Sequence, residues 1–400
     1  MTTNDGGRRA TGAVHVSPAM AVAGALSTTV VCVLPVFLVG GLAVQMGDEL
    51  GFSPAGLGLA VAVYFGIGAL ASVPAGSVVE RYGGALVARA AICLSVTCLL
   101  AIAGLAHSLG SLIALLGLSA AANALGQMAS NAALAHRVPT RRQGLSFGLK
   151  QAAVPLATLL AGAAVPAVAL TLGWRWAFVF AAAAGLAALT LVPPDEQAAT
   201  RRGNGGDRAT GALIVIALAA TLASGAANAL GTFLVDSTVD RGLAPGLAGL
   251  TLAFGSAICV AVRILGGALA DRWSRGHLAM IAGLLATGSI GMALLTLDGA
   301  VPLALGVTLG LGLGWAWPGL QNFAVVRLHP QAPAAATSIT QTGVYAGACV
   351  GPLVLGTVAA RTGYPTMWAA AAVAMLLAAA LMLIGGRLLH AAAASRSVGN

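Results

Sequence analysis

Two cations stand where an apolar chain cannot cheaply keep them. Lys150, in Phe147-Gly148-Leu149-Lys150-Gln151, follows the start of one long apolar run, and Arg263 lies deep inside another. Ionisable groups within membrane-length apolar runs are costly and generally functional. A buried cation is expensive unless something neutralises it, so both are candidates for a functional role. Structural alternatives stay open. Lys150 can snorkel from an early helical turn. Arg263 can snorkel too, or pair with Asp271, eight residues and roughly 12 Å further along a helix.

Uncharged polar residues join them. Asn123, Gln127, Ser130 and Asn131 recur at i, i+4, i+7 and i+8, which puts them on one helical face. Such a face either meets a solute or hydrogen-bonds a neighbouring helix. Trp315, Trp317, Pro318, Gln321 and Asn322 follow one another closely, as do Gln341, Thr342 and Tyr345. Aromatics beside amides suit an organic molecule with an apolar body and a polar end. Asn228 and Thr232, one turn apart, complete the set.

The elements that position these residues are transmembrane helices. Only 8% of the 400 residues are charged, 58% are hydrophobic, mean hydropathy is +0.93 and 54 residues are glycine. Apolar runs of 18 or more residues can span a hydrocarbon core roughly 30 Å thick. Glycine lets membrane helices approach closely. A β-barrel would instead show short alternating strands. The five cysteines lie within apolar runs without metal-ligand spacing and read as packing residues. No Walker loop, Ser/His/Asp set or His cluster occurs at catalytic or metal-ligand spacing. The expectation is therefore no enzyme, no cofactor and no metal. The net charge of +9 sits in short loops, which points to membrane orientation rather than nucleic acid.

Twelve helices are expected near 18–46, 54–76, 85–106, 112–135, 144–171, 176–192, 211–237, 245–270, 276–297, 300–327, 334–360 and 364–387. Residues 1–17 and 388–400 read as polar tails. The stretch 193–210 reads as a linker between two six-helix bundles, 18–192 and 211–387. The first helix is too long for a cleaved signal peptide. Of the 20 basic residues, the outer loops take only Arg175, Arg241 and Arg361, and Arg263 lies inside a helix. The others gather on the opposite side, which places both termini and the linker in the cytoplasm.

The two bundles repeat one another. At one constant offset Pro54 meets Pro245, Gly58 meets Gly249, Asn131 meets Asn322 and Pro139 meets Pro330. After a one-residue slip Gln151 meets Gln341 and Gly173 meets Gly363. Each bundle also carries a turn of glycine, three small or apolar residues, an acid, an arginine and an aromatic. These are Gly76 to Glu80, Arg81 and Tyr82, and Gly267 to Asp271, Arg272 and Trp273. This repeat and this turn resemble the major facilitator superfamily of secondary transporters, over about residues 17–390. The match is fuller in the second copy, because the family favours Asp where Glu80 stands.

The resemblance implies more than the residues alone. In that family the first, fourth, seventh and tenth helices line a central cavity, so the polar residues named above become candidate substrate contacts. The fifth and eighth helices adjoin across the two halves, so Lys150, beside Gln151, and Arg263 would converge. That favours a small organic anion or amphipathic metabolite, moved by alternating access across the cell membrane. Drug or metabolite efflux by antiport is the alternative, and a non-transporting receptor is the reading from another class. The repeated turns would latch the cytoplasmic side, with Arg137 paired to Glu80 and Arg327 to Asp271. A proton is a conceivable coupling ion, with Asp236 its deepest candidate. The expected partners are the bilayer and the solute, and the expected state is a monomer.

Overall fold

The computed structural model describes residues 17–139, 143–194, 210–270, 276–328 and 333–398. Most of the expected linker, and the first sixteen residues, lie outside them. Described residues form twelve helical spans apolar enough to cross a membrane. The first is α1 (Pro18–Gly41), followed by the short α2 (Ala43–Leu50). Then come α3 (Pro54–Tyr82), α4 (Gly84–Leu105) and α5 (Leu109–Arg137). The fifth span is divided into α6 (Gln143–Gln151), α7 (Ala153–Ala164) and a π-helical turn, Val165–Ala169. The sixth is α8 (Trp174–Ala188).

The second half repeats the plan with α9 (Thr210–Asp240), α10 (Pro245–Ala270) and α11 (His277–Leu294). Its tenth span is again divided, into α12 (Ala300–Val307), a π-helical stretch Thr308–Leu313 and α13 (Trp317–Leu328). Last are α14 (Pro333–Thr362) and α15 (Tyr364–Val398). Three expectations change. The first predicted helix, 18–46, breaks at Leu42. The fifth and tenth are discontinuous. The last helix runs on to Val398, so a separate tail from 388 is not seen.

The repeated punctuation does the same work in both halves. Gly51 (φ +67°) and Gly242 (φ +88°) take positive φ in the turns before α3 and α10, which begin on Pro54 and Pro245. Gly173 (φ +94°) and Gly363 (φ +86°) do so before α8 and α15. Positive φ is nearly free for glycine and strained for other residues, while proline is preformed for a first helical turn. These positions are therefore fixed by backbone geometry, not by packing.

Spans alternate in direction, so the starts of α1 and α9 and the end of α15 share one face of the bundle, here called the terminal face. At the opposite, far face the halves are clamped together. A Cβ on Gly40 of α1 would lie 2.5 Å from the Gly231 carbonyl of α9, and one on Gly356 of α14 would lie 2.6 Å from the Pro54 carbonyl of α3. Contacts this close admit only glycine and replace side-chain packing by backbone apposition. Further along α3, a Cβ on Gly66 would still sit 3.3 Å from the Cys349 sulfur of α14, whereas one on Gly76 would meet nothing within 4 Å.

The far face also holds the only ion pair among the described residues. Glu49 of α2 accepts from the Arg175 guanidinium at 2.5 Å and from the Trp174 indole N–H at 2.6 Å. Arg175 also donates to the Ala106 carbonyl at 3.0 Å, tying α2, α4 and α8 together. The hydrogen bond from Arg175, then that from Trp174, holds the Glu49 carboxyl below its ordinary range. Its contribution is therefore complete above that range and is lost as pH falls through the depressed folded value. Thermal unfolding of the parent should lose this increment on acidification below the glutamate range. Glu49→Gln should lie lower at neutral pH and flatten that dependence. An unchanged acid slope in the variant would assign the dependence elsewhere.

Candidate functional site

Two neighbouring spaces open within the bundle, and one of them lies between the halves. It measures about 940 Å³, including the part open to solvent. Its far end is stopped by Phe37 of α1 and Trp315, whose rings meet edge to face at 5.7 Å. Both are buried, and a Cβ on Gly231 would touch each of them.

The structure brings most of the expected residues to this wall. Asn123, Gln127 and Asn131 line it from α5, Lys150 and Gln151 from α6, and Asn228 from α9. Arg263 reaches it from α10, Trp315, Trp317 and Asn322 from the tenth span, and Gln341 and Tyr345 from α14. Both members of the repeat pairs Asn131/Asn322 and Gln151/Gln341 thus line the same cavity.

Other expectations are corrected. Gln321 is fully buried and does not line the cavity, and among the described residues neither its amide oxygen nor its nitrogen has a partner. Ser130 turns to α1, donating to the Ala25 carbonyl at 3.2 Å and accepting from Thr29 at 3.3 Å. It is therefore an interhelical contact. Thr232 donates to the Asn228 carbonyl one turn back, at 2.8 Å. Thr342 is exposed and does not line the cavity. Asp236 also lies elsewhere, near the far end of α9, where the Tyr364 hydroxyl donates to it.

The two cations prove unlike. Lys150 is 4% exposed and donates from Nζ to the Gln127 side-chain oxygen. Among the described residues no carboxylate lines the cavity, and a neutral amide faces the ammonium. Arg263, equally buried, is engaged by backbone. Its Nε and Nη2 donate to the Trp315 carbonyl at 3.2 and 2.5 Å, and its Nη1 to the Gln151 carbonyl at 2.5 Å. Both carbonyls lie where a span is interrupted. Gln151 ends α6, and its normal i+4 donor would be the backbone N–H of residue 155, which is proline and has none. Trp315 lies in the gap between the π-helical stretch and α13. Arg263 does not snorkel. It satisfies two broken helices from opposite halves.

The repeated turns differ between halves. Glu80 and Arg81 are exposed, and Arg81 stacks on Tyr82, its guanidinium carbon 5.4 Å from the ring centre. Arg137 donates to the Pro194 carbonyl rather than to Glu80, which has no hydrogen bond or ion pair among the described residues. Gly76 stands free, whereas a Cβ on Gly267 would lie 2.9 Å from the Gly144 carbonyl. Arg327 lies over the Phe323 ring at 5.2 Å. Asp271 and Arg272 fall outside the described residues.

Sequence reasoning missed Phe37, Phe65, Phe147, Met128 and Ser224, which also line the cavity. An apolar side chain in an apolar helix carries no sign of which way it faces. Ser224 could have been found, since it precedes Asn228 by one turn and shares its face. It donates to the Val344 carbonyl at 2.8 Å, and Asn228 donates to its backbone carbonyl at the same distance.

No curated protein matches the chain. A family model described as Major Facilitator Superfamily matches residues 24–352 and, in a second alignment, 216–396. That the second alignment covers the second bundle agrees with the internal repeat. With most of its length matched and twelve spans arranged around one central cavity, the chain belongs to the major facilitator superfamily of membrane transporters.

Proposed function

We propose that the protein carries a small organic anion across the cell membrane by alternating access, with Lys150 as the anchor for the negative group. One observation carries this reading: among the described residues the buried Lys150 ammonium is bonded only to an amide, and no acid lines the cavity. An anion of the substrate would neutralise it, which neutral or cationic solutes cannot do. Asn123, Gln127, Asn131, Asn228, Asn322 and Gln341 supply hydrogen bonds, and the aromatic end toward Phe37 and Trp315 takes the apolar body.

The test is counterflow in proteoliposomes. Vesicles preloaded with a mixture of small carboxylates should draw in labelled carboxylate, and vesicles preloaded with the matching amides should not. Exchange of amides or amines at the same rate would favour efflux of neutral or cationic amphiphiles and end the anion reading.

The terminal face is assigned to the cytoplasm, since the basic residues outside the helices gather in its loops. A cysteine introduced at Gly205, between the halves, should resist an impermeant maleimide in intact cells and label after lysis. Ready labelling before lysis would reverse the orientation.

A further inference from the structure

The chain has nine Phe, six Trp and four Tyr, and six of these nineteen rings line the cavity that holds Lys150. Phe37 of α1, Phe65 of α3 and Phe147 of α6 come from the first half, and Trp315, Trp317 and Tyr345 from the second. Aromatic residues make up only 5% of the sequence, so their gathering around one space does not follow from composition. Among the described residues no leucine or isoleucine lines the cavity; valine, alanine, proline and one methionine supply the rest of its apolar surface. The neighbouring space is built differently. Leu265, Leu269, Leu284 and Leu320 line it, with a single ring, Phe323.

The rings are also placed around the charge. Phe147 precedes Lys150 by three residues on α6, which puts both on one helical face. Phe37 and Trp315 close the far end at an interplanar angle of 69°, so that end offers a π-face and an edge together. Flat rings gain from edge-to-face and offset-stacked contacts beyond what their buried area supplies, and saturated rings do not. We propose that the carried anion is an aryl carboxylate, its ring among these aromatic side chains and its carboxylate at Lys150; this rests on the anion reading above. Aromatic surroundings also suit a cation, but here an ammonium shares the cavity and no acid lines it among the described residues.

The experiment uses full-length protein in nanodiscs of zwitterionic lipid and reads ligand-induced thermal stabilisation. Benzoate and 2-naphthoate are compared with cyclohexanecarboxylate and decahydro-2-naphthoate, which match them in carbon number and charge but have no π-system. Benzamide and benzylamine keep the ring and lose the anion. In the parent each aryl acid should bind about tenfold more tightly than its saturated counterpart, the gain of one or two aromatic pairs. Benzamide and benzylamine should give no shift. Phe65→Leu and Phe147→Leu each keep an apolar side chain and remove a ring. Each should cut the aryl preference about threefold and leave the saturated acids unchanged. The double variant should abolish the preference, and the single variants carry the comparison if the double does not fold. Equal binding of aryl and saturated acids by the parent overturns the aryl assignment and leaves the anion reading standing. So does an aryl preference that survives undiminished in both single variants. Stabilisation by benzamide or benzylamine equal to that by benzoate, or failure of every carboxylate to bind, overturns the anion reading and this inference with it.

Discussion

Lys150→Gln should abolish carboxylate-dependent uptake while leaving the protein inserted and folded. The substitution keeps a polar head near the Gln127 amide and removes the basic group that, among the described residues, lines the cavity without engaging a backbone carbonyl. Removing one member of a buried, hydrogen-bonded charge pair generally costs about 2–5 kcal/mol. An anionic substrate should thus lose about 3 kcal/mol of binding, roughly 150-fold in affinity. Without ligand the variant should be as stable as the parent or more so, because an uncompensated buried cation has been removed. Lys150→Arg should keep part of the affinity, since the charge remains but its shape and reach differ. Parental uptake by Lys150→Gln would show the lysine to be structural.

Arg263→Met should behave in the opposite way. The guanidinium makes three hydrogen bonds to two carbonyls that the interrupted spans leave without helical donors. Methionine fills similar volume and satisfies neither, and a bare buried carbonyl costs about 1–3 kcal/mol. The variant should lose roughly 2–4 kcal/mol of stability, seen as a lower unfolding midpoint that carboxylates shift by the same increment as in the parent. Arg263→Lys should recover only part, because a compact ammonium lacks the planar fork that spans both acceptors. If Arg263→Met keeps parental stability yet loses carboxylate binding, Arg263 is a second anion anchor and the bridging role is wrong. Measured together, the Lys150 and Arg263 variants separate ligand charge from structural charge.

Much of the fold was legible locally. Twelve apolar runs each long enough to span a bilayer must become helices, because only internal hydrogen bonding satisfies backbone in hydrocarbon. Turn positions such as Gly51 and Gly242, or Gly173 and Gly363, could be read because positive φ selects glycine whatever surrounds it. The amides at 123, 127 and 131 share a face by helical periodicity alone, and that face does reach the cavity.

What periodicity cannot say is which neighbour a face will meet. Ser130 lies on the same stripe yet turns to Ala25, and Gln321 lies beside Asn322 yet is buried away from the cavity. The proline that deprives the Gln151 carbonyl of its donor is visible four residues away, but the guanidinium that replaces it comes from 112 residues further along. Local rules determined the helices, their turns and the presence of two buried cations. Only the packing of one half against the other decided that backbone satisfies Arg263, because a buried charge takes its partner from whatever the fold brings within reach.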